Sequence, residues 1–72
     1  MTDTAERILK LYKQTNMQEG DMFIIEVIIN MVRSEDTMAA IRELGKLGYI
    51  DESDYRYFLT KKGFEYIHSE LE

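Results

Sequence analysis

One segment restricts the folds open to this chain more than any other. It is Met22-Phe23-Ile24-Ile25-Glu26-Val27-Ile28-Ile29-Asn30-Met31-Val32, eleven residues in which only Glu26 and Asn30 are polar. In water, such a run has to be covered by other segments. It is too short and too polar to span a bilayer, which takes about 20 apolar residues, so no membrane role is expected. Its β-branched residues favour a strand, but it is long for one. Glu26 and Asn30 stand four apart and share one face of a helix, leaving the other faces for burial. The spacing therefore predicts a helix over residues 22–32 capped by Asp21, with a strand as the competing arrangement.

The flanking segments supply the cover. Asp3 with Glu6 three residues later reads as a capping box, and Ala5, Ile8, Leu9 and Tyr12 recur at helical spacing. A first helix is expected over residues 4–15, followed by the polar connection Gln18-Glu19-Gly20. Ser34 offers the N-cap of a third helix over residues 36–47, with Glu35 and Asp36 in its first turn, where the helix dipole favours acids. Ala40, Ile41, Leu44 and Leu47 form its inward stripe, and Gly48 ends it. Gly45, in the interior of that helix, suggests close packing against a neighbour. Tyr49-Ile50 and Tyr55-Arg56-Tyr57-Phe58-Leu59 flank the polar stretch Asp51-Glu52-Ser53-Asp54, which reads as a hairpin with its tip at Glu52-Ser53. Tyr57 and Leu59, two apart, point to one face of the sheet, toward the core. Thr60 can cap a last helix carrying Phe64, Ile67 and Leu71. Met17, Met22 and Met31 read as core filler. The expected class is α+β, mainly α, in a single domain over residues 1–72.

Composition removes several kinds of function. Cysteine is absent, which excludes a disulfide framework, a thiolate nucleophile and a cysteine zinc site. His68 is the only histidine, and a lone histidine on a helix reads as a bystander rather than a general base. Asp51, Glu52 and Asp54 lack the spacing and the glycine of a calcium loop. No enzyme is expected, and no catalytic residue, cofactor or metal ligand. The start Met1-Thr2-Asp3-Thr4-Ala5-Glu6-Arg7 has no basic, apolar leader character, so the expected location is the cytoplasm.

The formal net charge is −5, from nine Lys and Arg against fourteen Asp and Glu. That sum does not attract nucleic acid, but the distribution is uneven. Arg33, Arg42, Lys46, Arg56, Lys61 and Lys62 lie within residues 33–62, where six acids balance them. Residues 17–32 and 63–72 carry acids only, apart from His68, with Glu65, Glu70 and Glu72 in the latter. The central block is either a solvated surface or a weakly basic face.

Two motifs in this block carry a resemblance. Thr37-Met38-Ala39-Ala40-Ile41-Arg42-Glu43-Leu44-Gly45-Lys46-Leu47-Gly48-Tyr49-Ile50 resembles the recognition helix of a winged helix-turn-helix domain with its Gly-Tyr-Ile exit into the wing. Tyr57-Phe58-Leu59-Thr60-Lys61-Lys62-Gly63 is similar to the Tyr-x-Leu-Thr-x-x-Gly that closes the wing in PadR-like and MarR-like transcriptional regulators. The pair covers residues 37–63. The resemblance implies a winged helix, with a three-helix core, a β-hairpin wing and a C-terminal helix. It also implies double-stranded DNA as partner, bound by the third helix in the major groove. Carried onto this chain, Arg42 would contact guanine or phosphate and Lys46 phosphate, with Met38 on the same exposed face. Ser34 and Thr37 would hydrogen-bond phosphate, and Arg56 and Lys61 would grip the flanking backbone.

Met38 and Ala39 depart from the pattern, standing where hydrogen-bonding residues are usual, and the acidic wing stands where cations are usual. The alternative is an acidic winged-helix module that binds another protein and not DNA. The stripe of Phe64, Ile67 and Leu71 leaves two arrangements open. One is a homodimer through residues 61–71 with the first helix, and the other is packing back on Ile8 and Tyr12 of the same chain.

Overall fold

The computed structural model describes residues 1–71, so Glu72 lies outside it. The elements are α1 (Asp3–Gln14), β1 (Met22–Ile24), α2 (Ile25–Val32), α3 (Thr37–Lys46), β2 (Ile50–Ser53), β3 (Arg56–Leu59) and α4 (Lys61–Ser69). The class is α+β and mainly helical, with a three-stranded antiparallel sheet in the order β1-β3-β2.

Helix α1 presents the expected stripe. Ala5, Ile8, Leu9 and Tyr12 are all fully buried. The cap is Thr2 rather than Asp3, its hydroxyl accepting from the Ala5 amide at 3.2 Å. At the other end Asn16 takes φ +58, and the Asn16 and Met17 amides donate back to the Lys13 and Tyr12 carbonyls. A left-handed residue after the helix, with these two reverse bonds, is the Schellman stop, and asparagine tolerates it.

The apolar run departs most from expectation. It is divided: Met22–Ile24 form a strand and the helix begins only at Ile25. The strand is taken by β3, with Phe23 opposite Tyr57, and pairing extends outward through Gly20 amide to Leu59 carbonyl and Leu59 amide to Asp21 carbonyl, both 2.8 Å. Backbone partners supplied by β3, 34 residues later, outweigh the local helical spacing. Asp21 caps no helix. Its carboxylate accepts from the Gln18 amide at 2.8 Å and closes the turn before β1. Helix α2 instead starts with the Ile25 amide donating to the Tyr55 carbonyl at 3.0 Å.

Of α2, only Ile28 and Val32 are buried, while Val27, Ile29 and Met31 are exposed, Met31 by 61%, as is Ile24 at the end of β1. Met31 is therefore not core filler. Eight residues of helix offer a buried stripe two residues wide, and a segment apolar on three sides keeps two of them in water. The Arg7 guanidinium reaches over from α1 and donates to the Val32 carbonyl at 2.6 Å, satisfying the C-terminal end of α2.

Ala40, Ile41 and Leu44 bury α3, but Leu47 is 37% exposed because it already lies in the helix stop. Gly48 takes φ +82, and the Gly48 and Tyr49 amides bond the Gly45 and Leu44 carbonyls, a second Schellman stop. The N-cap is Asp36, two residues later than Ser34. The hairpin is also shifted: Asp51, Glu52 and Ser53 belong to β2, and the tip is Asp54-Tyr55. Both tip residues have positive φ, +54 and +62, the two-residue turn whose twist matches the strands. Glu52 steadies it by accepting from the Tyr55 amide at 3.2 Å.

Thr60 caps α4 as expected, accepting from the Gly63 amide at 2.9 Å and donating to the Gly48 carbonyl at 2.6 Å. Helix α4 packs on α1, with Ile67 fully buried and Leu71 8% exposed, and the Lys13 ammonium donates to the Leu71 carbonyl. Within the chain, this stripe packs back on α1 through Ile67 and Leu71. All the buried apolar residues join one core.

Two glycines make opposite predictions. A methyl added at Gly45 meets no atom within 4 Å, so Gly45 serves no close helix contact. Gly45→Ala should raise stability by about 0.5–1 kcal/mol. At Gly63 the same methyl would overlap the Tyr49 carbonyl oxygen and lie 2.9 Å from Leu59 Cδ1. Gly63→Ala should lower stability by about 3 kcal/mol, the upper end for overpacking. Urea midpoints of the two variants should move in opposite directions. Leu44→Ala, which empties a fully buried site, should cost about 2–5 kcal/mol in the same assay.

Candidate nucleic-acid interface

Helix α3 is held by its inner face and open on its outer one. Ala40, Ile41 and Leu44 are in the core, which turns Met38, Ala39, Arg42 and Lys46 toward solvent. Arg42 lies one turn beyond both Met38 and Ala39, and Lys46 one turn beyond Arg42. Two open grooves border this ridge. One, of about 280 Å³, runs between α3 and the hairpin past Met38, Arg42, Gly45, Glu52 and Tyr57. The other, on the opposite flank, passes Ala39, Arg42, Glu43 and Lys46. Arg42 borders both.

Among the described residues, the only ion pair between two side chains joins Arg56 to Asp54, at 3.1 Å on the hairpin. Arg42 and Lys46 thus have no carboxylate within ion-pairing distance, although acids are plentiful nearby in sequence. Glu43, next to Arg42 in the chain, is engaged elsewhere, accepting from the Thr2 hydroxyl at 3.0 Å.

The entrance to α3 is organised by one carboxylate. Asp36 Oδ1 accepts from the Thr4 hydroxyl of α1 at 2.7 Å and from the Ser34 hydroxyl. These two hydrogen bonds, Ser34's first, hold the Asp36 carboxyl below its ordinary value of 3.8, against a smaller opposing effect of desolvation. The cluster ties the start of α3 to α1.

No protein-family model, no curated protein and no solved structure matches the chain. The interface therefore stands on its own geometry.

The expected contact residues fall into three groups. Met38, Arg42 and Lys46 share the exposed ridge of α3. Arg56 lies on β3 beside the hairpin tip and is paired with Asp54, and Lys61 is exposed at the start of α4. The Ser34 and Thr37 hydroxyls are hydrogen-bonded within the fold. The Ser34 hydroxyl serves Asp36, and Thr37 is only 4% exposed with its hydroxyl donating to the Ser34 carbonyl at 2.8 Å.

Sequence reasoning passed over Lys62. Its ammonium lies 5.5 Å from the centre of the Tyr49 ring, and its chain runs beside Gly48 at the C-terminal end of α3, where the helix dipole favours a cation. Tyr49 in turn stacks on Tyr66 of α4, ring centres 4.5 Å apart. The pairing of the aromatic after Gly48 with the second of two lysines is a tertiary contact that no local pattern encodes.

The Asp36 cluster has a pH signature. A carboxyl whose folded value is depressed contributes stability that is complete above its unfolded value and is lost as pH falls through the folded one. Melting temperature should therefore fall below about pH 3.8, and Asp36→Asn should flatten that acid limb while lowering the plateau above it. An unchanged acid limb in Asp36→Asn would remove the cluster from the account.

Proposed function

We propose that the chain is a winged-helix domain that binds double-stranded DNA through the outer face of α3 and acts as a transcriptional regulator in the cytoplasm. The order helix, strand, helix, helix, hairpin, helix, with the short first strand on the far side of β3, supports the winged-helix part of this reading. So do the two motifs at residues 37–50 and 57–63. The observation that carries the DNA part is the pair Arg42 and Lys46, exposed and, among the described residues, without a carboxylate partner, on a helix whose other face is locked into the core. A helix anchored in this way can enter a major groove as a rigid body, and its cations can displace counterions from phosphates.

A second reading has its own observation. Asp51, Glu52 and Asp54 are exposed on the hairpin, the one hairpin cation is paired, and Ile24, Val27 and Met31 form an exposed apolar edge. These features favour a module that binds another protein.

Titration with duplex DNA over a range of salt concentrations separates the two. On the DNA reading, affinity falls steeply with salt, and Arg42→Ala and Lys61→Ala each weaken binding and reduce the slope by roughly one. A folded protein with no duplex binding at low ionic strength would leave the protein-binding reading.

A further inference from the structure

Resting on the DNA reading, we propose that α3 selects sites through thymine methyl groups next to a guanine, with Met38 as the residue that reads the methyl. The first turn of a helix seated in the major groove is the part that meets base edges. In α3 that turn exposes Met38, 42% accessible, and Ala39. Neither side chain can donate a hydrogen bond to a base edge. Thr37, the hydroxyl in the same turn, is buried and already bonded to the Ser34 carbonyl.

The major groove presents one apolar feature, the C5-methyl of thymine. An unbranched, polarizable methionine side chain moulds to such a group. Asp36, the acid closest before this turn, has Oδ1 held by hydroxyls of Thr4 and Ser34, so its carboxylate is drawn toward α1.

Arg42 supplies the polar half. It is free of ion pairs among the described residues and lies one turn, about 5.4 Å, beyond Met38. With base pairs about 3.4 Å apart, that turn places the guanidinium one to two base pairs from the methyl. There it can take guanine O6 and N7 together.

The test selects a preferred sequence from a random duplex pool with the full chain. The recovered duplex is then synthesised with thymidine and with deoxyuridine, which lacks the methyl. The wild-type protein should bind the thymidine duplex about fourfold more tightly for each contacted methyl, equivalent to about 0.8 kcal/mol. Met38→Ala, a change at an exposed position, should bind the two duplexes equally and keep the wild-type salt slope, since no charge is removed. Duplex binding with no preferred sequence, with no thymidine advantage, or with the advantage intact in Met38→Ala overturns this inference and leaves the DNA reading standing. Absence of duplex binding at low salt overturns both.

Discussion

The Tyr12 side chain joins α1 to the sheet, and the rest of the molecule is arranged around that junction. It is fully buried, its hydroxyl donates to the Tyr57 carbonyl at 2.7 Å, and its ring meets Phe23 edge-on with centres 4.8 Å apart. Burial, and to a lesser degree the neighbouring Tyr57, raises the hydroxyl far above its ordinary value, which favours the protonated, donating form. One side chain therefore contacts β1 through its ring and β3 through its oxygen. The bond is buried, so leaving the Tyr12 hydroxyl unpaired would carry a desolvation cost.

The two ends of the chain were the most legible part of the sequence. Helical spacing in residues 4–15 and the Thr60 cap followed by Phe64 and Ile67 are local signals, and the structure repeats them within a residue or so. The class, α+β and mainly helical, was legible for the same reason. Residues 22–32 were not, because strand and helix compete there and the decision lies with β3. The hairpin tip was misplaced because the acids of β2 look like a loop by composition, whereas an edge strand can carry them in water. Position alone places Leu47 on the inward stripe and Gly45 at a close contact, whereas Leu47 is partly exposed and Gly45 has open space beside it.

The candidate interface was legible in part. Arg42 and Lys46 follow from helical phase once Ile41 and Leu44 are placed inside. Ser34 and Thr37 could not be sorted from sequence, since a hydroxyl at a helix entrance serves equally as a cap, a tie to another helix or a ligand contact. Here they serve the entrance of α3. The electrostatics are local for the same reason. In a chain of net charge −5, Arg42 and Lys46 form no ion pair among the described residues, while the nearby Glu43 and Asp36 accept hydrogen bonds from the Thr2, Thr4 and Ser34 hydroxyls.

The position of β1 also governs when the molecule can form. Its partner strand is not its neighbour in sequence but β3, and both Phe23 and Tyr12 find their backbone partners at Tyr57. A chain emerging from the ribosome has therefore made α1, the apolar run and α3 before the strand that organises them exists. Contacts that span most of a sequence form late, after the entropy of closing the intervening loop has been overcome. Met22–Ile24 lack their pairing partner until then. A chain ending anywhere before β3 has the helices of the core without the strand that pairs β1 and accepts the Tyr12 hydroxyl.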